Sequence, residues 1–206
     1  YFDQTKILRE YITDQELYDK IIKRYENRKN NEKLFFMGIT MQNHGGYTET
    51  YDNFPENYYK VGRSYTDANQ YLSLVHESDE AVKNLISYFS KVDDPVEIIF
   101  FGDHQPSLNS NFYPILNGKG LTGLTEDELE KLYTVPFFIW TNYDTPEETV
   151  DITSLDYLST MALERAGIEL PAYNKFLADM QEVVPAINSR GYYSKSKGCY
   201  LHIDEA

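Results

Sequence analysis

Asp103 and His104 place a carboxylate oxygen and an imidazole nitrogen side by side, directly after the apolar run Val96-Glu-Ile-Ile-Phe-Phe101 and the chain-breaking Gly102. The run suits a strand covered on both faces, and open α/β sheets place their ligands at the carboxyl ends of such strands. A hard oxygen next to a borderline nitrogen is half of a site for a divalent cation. Pro106 prevents an ordinary helix from continuing through the turn, so the pair sits on a stiffened loop. A second chemistry-bearing loop, Met41-Gln-Asn-His-Gly-Gly-Tyr47, follows another apolar run, Leu34-Phe-Phe-Met-Gly-Ile-Thr40. Its paired glycines favour a tight turn, which puts His44 at the carboxyl end of a strand, as Asp103 and His104 are. Each signal has a bland reading too: a strand-end Asp is often a helix cap and a loop His a surface residue. Together they aim two histidines and a carboxylate at one crevice. His76 reads as a solvated helix-face residue beside Glu77. His202 has no partner pattern, and Cys199 reads as a small buried hydrophobe.

Several elements must hold these loops. Residues 13–29 have the spacing of an amphipathic helix, with Thr13 and Glu16 in capping-box positions and Leu17, Ile21 and Tyr25 on one stripe. Residues 34–40 read as a buried strand and 48–62 as a long loop rich in Tyr and Asn, and the tyrosines of 47–65 could line a polyol or sugar site. Helical spacing returns from Ser64. The acidic stretch Glu77–Glu80 then suggests a break, with Ser78 capping a second helix. A strand, one or two helices and a second strand form the crossover pattern of a parallel sheet. Residues 107–123 read as a further loop, Thr125 and Glu128 as a capping box, and 135–140 as a third strand with Pro136 at its start. A helix over 154–166 ends at Gly167, another covers 173–184, and the last twenty residues suggest a small hairpin. The expected fold class is therefore α/β, a mostly parallel central sheet flanked by helices, with a small C-terminal β hairpin.

The 206 residues are 41% hydrophobic and 15% aromatic, enough for a sizeable core rather than a disordered tail. With 33 acidic against 19 basic residues the net charge is -14, which argues against a nucleic-acid surface. A single cysteine excludes an internal disulfide and a Cys-rich zinc site. No run approaches the roughly 18 apolar residues of a membrane span. The chain opens on Tyr1 in a polar segment, which reads as a piece of a longer protein.

Taken in order, Leu34–Tyr47, Ser64-Tyr-Thr-Asp-Ala68, Ser78-Asp-Glu-Ala81, Ile98–Pro106, Tyr133-Thr-Val-Pro-Phe-Phe-Ile-Trp140 and Asp156–Ile168 resemble the lipoteichoic acid synthase family. These are sulfatase-like phosphoglycerol transferases of the alkaline-phosphatase superfamily. The match runs from about residue 13 to residue 177, with 178–206 as an extension, so the resemblance implies an incomplete sulfatase-like domain, its carboxyl-terminal part. It implies that Asp103 and His104 are metal ligands, normally for manganese (Mn2+), although another divalent cation is possible, and that His44 contacts the substrate phosphate. The family's threonine nucleophile and glutamate ligand come from a part of the domain before anything matched here. Thr5 and Thr13 lack the nucleophile's context. The implied activity is movement of glycerol phosphate from phosphatidylglycerol to a glycerol-phosphate polymer or glycolipid, at the cell membrane with this domain extracellular and anchored by segments outside the chain. Alone, the chain is expected to be inactive and to bind metal weakly or not at all. The alternatives are a sulfatase or phosphoethanolamine transferase on the same scaffold, or a non-catalytic binding module.

Overall fold

The sequence Ile7-Leu8-Arg9-Glu10-Tyr11-Ile12 folds back on itself within six residues, and the next helix starts where Thr13 turns its hydroxyl onto the chain. The computed structural model describes residues 6–54 and 65–205. It divides into two compact units, Tyr1–Asp93 with Pro106–Gly120, and Asp94–Gln105 with Leu121–Ala206. Each is described by itself.

In the first unit, β1 (Ile7–Leu8) and β2 (Tyr11–Ile12) pair antiparallel. Helix α1 (Asp14–Glu26) begins at Thr13, whose Oγ1 accepts from the Glu16 backbone N–H at 3.2 Å, the capping half that the sequence promises. The other half is missing, because the Glu16 carboxylate turns to Lys6 and Lys20. Helix α2 (Thr66–Phe89) packs on α1, burying Ala81, Val82, Leu85 and Phe89, with Tyr25 edge-on to Phe89 at 5.2 Å. The expected break at Glu77–Glu80 does not occur. Ser78 lies mid-helix on the buried face, where its hydroxyl donates to Asp14 Oδ2 at 2.5 Å instead of capping anything. Tyr47, Phe54 and Leu74 form a buried cluster that fastens the 41–54 segment onto α2. A short helix, α3 (Tyr113–Asn117), occupies part of the expected 107–123 loop. The loop is tied to α2 by the Asn109 N–H donating to Asp67 Oδ2.

Residues 34–40 correct the sequence reading: no ladder forms there among the described residues, and the segment is no buried strand. Its exposure still alternates. A Cβ on Gly38 would sit 3.1 Å from Leu17 Cδ2, so the Gly38 side faces α1, while Phe35, Met37 and Ile39 point outward at 91%, 76% and 74% exposure. The two-residue period is present, but a run becomes a strand only when a neighbour takes up its backbone N–H and C=O groups.

In the second unit, β3 (Glu97–Phe101) and β4 (Phe137–Thr141) pair antiparallel, with Ile98 opposite Trp140 and Phe100 stacked on Phe138 at 5.4 Å. Every strand pair among the described residues is antiparallel, so the parallel crossover from 34–40 to 96–101 is not formed there. Nor is β3 covered on both faces: Ile99 and Phe101 remain 36% and 43% exposed. The α/β character stands. Helix α4 (Glu126–Glu130) carries the complete Thr125–Glu128 capping box. A 3-10 turn (Leu155–Tyr157) leads into α5 (Leu158–Arg165), which ends with Gly167 at φ 67°. There the Ile168 N–H reaches Leu163 O at 2.8 Å and the Gly167 N–H reaches Glu164 O at 3.0 Å, the paired bonds of a Schellman end. Helix α6 (Ala172–Gln181) joins α5 through Asn174, whose amide donates to Thr160. The fully buried Tyr157 donates to Val184 O at 2.6 Å. The expected terminal hairpin is a three-stranded antiparallel sheet, β5 (Ala186–Ile187), β6 (Gly191–Ser194) and β7 (Cys199–His202).

Candidate functional site

Gly102 and the loop beyond it are set by the end of β3. The Gly102 N–H donates to Pro136 O at 3.1 Å, and a Cβ at this position would meet Val135 Cβ at 3.1 Å. The strand thus closes against the start of β4, and Asp103 and His104 are turned out of the ladder. Asp103 Oδ1 accepts from the His104 N–H at 2.9 Å, and Asp103 Oδ2 lies 3.5 Å from His104 Nε2. His104 Nδ1 lies 2.9 Å from Gln105 O, and the Gln105 amide donates to Thr134 O. Both site side chains are open, at 83% and 73% exposure, and Asp103 Oδ2 and His104 Nε2 face each other at the solvent-exposed end of the pair. Their donor chemistry fits part of a divalent-cation shell. Among the described residues no cluster of three or more His, Cys, Asp or Glu completes it.

His44 belongs to the other unit. It is exposed, on a turn closed by its own N–H donating to Met41 O at 3.0 Å, and Gly46 two residues on adopts φ 95°. Its Nδ1 lies 3.2 Å from the Tyr11 hydroxyl, with the two rings 5.6 Å apart. The residues just before it are locked from below. Gln42, 2% exposed, accepts the Asp14 N–H on Oε1 at 3.1 Å and donates to Ser78 Oγ at 3.2 Å. Asn43 also donates to Ser78 Oγ, at 2.9 Å, and the Tyr47 hydroxyl donates to Asn43 O at 2.7 Å. Burial pushes the Asp14 carboxyl up from its ordinary range, against the Ser78 hydrogen bond that lowers it.

Of the sequence candidates, Asp103 and His104 stand in contact, and His44 stands in the first unit with Tyr11. The bland reading of Thr13 as a helix cap is what the structure shows, and Thr5 lies outside the described residues. His202 Nδ1 accepts from the Asp204 N–H at 3.3 Å, and Cys199 is half-buried in β7. Of the tyrosines considered for a sugar site, Tyr47 is buried in the core, and Tyr58 and Tyr59 lie outside the described residues. Sequence reading missed Arg9, Tyr11, Gln42 and Ser78 as supports of the His44 loop. One signal was available: Arg9-Glu10 separates two apolar pairs by the two residues of a tight hairpin.

The family model described as Sulfatase matches residues 1–168. The chain belongs to the sulfatase family. Among relatives of this sulfatase-family chain is a Rhizobium meliloti (strain 1021) protein provisionally assigned to cyclic beta-1,2-glucan modification, 27% identical over 180 residues, or 84% of this chain and 28% of that protein. The capsular polysaccharide biosynthesis protein RkpI of the same strain is 33% identical over 100 residues, covering 48% of this chain and 17% of its own length. The chain thus spans well under half of either relative. Among solved structures, the Streptococcus pyogenes phosphoglycerol transferase GacH in complex with sn-glycerol-1-phosphate matches with a TM-score of 0.65 at 19% identity, over 90% of this chain and 46% of that one. That likeness establishes a shared fold.

Proposed function

We propose that this chain is the carboxyl-terminal part of a phosphoglycerol transferase of the lipoteichoic acid synthase type, acting on the outer face of the cell membrane. The carrying observation is the fold match, across 90% of the chain, to a phosphoglycerol transferase solved with sn-glycerol-1-phosphate. The open Asp103–His104 pair supports it as part of a manganese shell. A divalent cation bound there would supply Lewis-acid polarisation of a phosphoryl oxygen and a lowered hydroxyl pKa. No helix among the described residues is long and apolar enough to cross a membrane, so the anchor in this reading lies outside them.

In this reading, a threonine hydroxyl from outside the chain attacks the phosphorus of phosphatidylglycerol. The P–O bond to threonine forms, the P–O bond to diacylglycerol breaks, and the leaving alkoxide takes up a proton. An acceptor hydroxyl then attacks the phosphothreonine, giving up its proton and restoring the threonine. His44 offsets charge on the phosphate or protonates the leaving oxygen. The names of the relatives, glucan modification and capsular polysaccharide biosynthesis, support a saccharide hydroxyl as acceptor alongside a glycerol-phosphate polymer.

The test uses the full-length protein that carries this chain, supplied with manganese and phosphatidylglycerol, phosphatidylethanolamine or an aryl sulfate. Release of diacylglycerol from phosphatidylglycerol, with glycerol phosphate retained on protein or acceptor, is the expected result. Turnover confined to phosphatidylethanolamine or to the sulfate ester would move the enzyme to the phosphoethanolamine transferases or the sulfatases. No turnover of any, with manganese bound, would favour a binding module.

A further inference from the structure

Arg9 occupies the first of the two residues joining β1 and β2, with φ 53°. A side chain is disfavoured there and glycine is the usual occupant, so an arginine holding this conformation calls for a reason. Its backbone is clamped by Asn53, which accepts the Arg9 N–H at 3.1 Å and donates to Arg9 O at 3.0 Å. Its side chain is not on the surface: Arg9 is 4% exposed, and no carboxylate among the described residues pairs with it. The guanidinium instead gathers the His44 loop. One terminal nitrogen donates to Gln42 O at 3.0 Å and His44 O at 2.6 Å, and the other to Gln70 Oε1 at 3.0 Å, with Gly46 O at 3.5 Å. Gln70, fully buried on α2, passes the tether on to Glu49 O at 2.8 Å. The rings of Tyr11, Tyr47 and Tyr51 surround the cation at 5.5–5.9 Å.

We propose that Arg9 is the positioning residue for His44, and that the 7–12 hairpin is the device that aims this imidazole. The inference rests on the reading of His44 as a phosphate-contacting group. The planar fork takes carbonyls on both sides of one loop, which a flexible ammonium cannot do. Two residues along, the Tyr11 hydroxyl lies 3.2 Å from His44 Nδ1; with tyrosine as the donor, the imidazole carries its proton on Nε2, the nitrogen left to meet a phosphate oxygen. One hairpin thus touches both the backbone and the ring of the same histidine. A buried cation held by carbonyl dipoles and ring faces, with no carboxylate partner among the described residues, also leaves the loop receptive to an anion.

The experiment is a double-mutant cycle in the full-length protein, read as diacylglycerol release from phosphatidylglycerol micelles. Arg9→Gly suits the turn better than arginine does, so it removes the guanidinium while leaving the hairpin its preferred backbone. Turnover should fall about 10²-fold, as expected of a group displaced from its reactive geometry, and Arg9→Lys should not restore it. In a His44→Ala background the same change should cost less than about twofold further, because the two act as a unit. With ¹⁵N-histidine labelling, Arg9→Gly and Tyr11→Phe should each shift the His44 imidazole nitrogens, which loss of stability alone would not do. Parental turnover in Arg9→Gly, or losses that multiply with His44→Ala, would overturn the proposal. If Arg9→Gly does not fold, the cycle between Tyr11→Phe and His44→Ala decides by the same criterion. Parental turnover in His44→Ala itself would instead remove the reading on which the proposal rests.

Discussion

Asp14 shows what a single residue does in supporting the site. Its carboxyl is buried between α1 and Ser78, with Oδ1 unpartnered among the described residues, and burial holds its pKa above the ordinary range. The folded chain therefore keeps a proton that the unfolded chain releases earlier, so stability falls as pH rises through the window from the ordinary carboxylate range to the raised value. Asp14→Asn keeps an oxygen for the Ser78 hydroxyl and removes this titration. Its melting temperature relative to the parent should climb as pH rises from the ordinary carboxylate range of about 4 through the raised value; a gap that does not change with pH would contradict the assignment. His44→Ala makes the complementary prediction, little change in melting temperature for an exposed side chain but a loss of turnover of about 10²- to 10⁴-fold in the full-length protein. His44, Asp103 and His104 were legible as residue types next to glycines after apolar runs. For Arg9 the spacing between two apolar pairs marks the turn but not the role, because its carbonyl partners lie more than thirty residues away.

At the scale of elements, signals confined to a few residues were readable and signals needing a neighbour were not. Thr13, the Thr125–Glu128 box and Gly167 each satisfy helix ends with atoms close in sequence, although at Thr13 only the half of the box supplied by its own hydroxyl forms. Residues 34–40 carry the period of a strand, but pairing depends on what lies alongside. Likewise nothing within β3 reveals that β4 runs antiparallel to it. The acidic stretch at Glu77–Glu80 resembles a break only until Ser78 is seen to serve Asp14 from inside α2. Two glycines give sharp tests. A Cβ at Gly191 would fall 2.0 Å from the backbone oxygen of Leu201, so Gly191→Ala must part β6 from β7 and should destabilise by more than about 2 kcal/mol in thermal or urea unfolding. At Gly102 the 3.1 Å neighbour is the Val135 side chain. Gly102→Ala should therefore cost less, about 1 kcal/mol, the low end of overpacking. It should also weaken manganese retention in the full-length protein, through the turn that presents Asp103.

For the whole molecule, we propose that a sulfatase-family chain carries a partial metal site and a separately supported phosphate-contacting histidine. With Asp103 and His104 as donors and no larger cluster among the described residues, the isolated chain should bind manganese weakly in a calorimetric titration. Tight one-to-one binding lost in Asp103→Ala would show that the remaining ligands lie within these 206 residues. The most direct test is made in the full-length protein, by measuring bound manganese and phosphatidylglycerol turnover side by side for the parent, Asp103→Ala, His104→Ala and His44→Ala. The first two variants should lose metal and turnover together, whereas His44→Ala should keep its metal and lose turnover. Equal metal loss in all three variants, or full turnover in Asp103→Ala, would contradict the roles assigned to these residues.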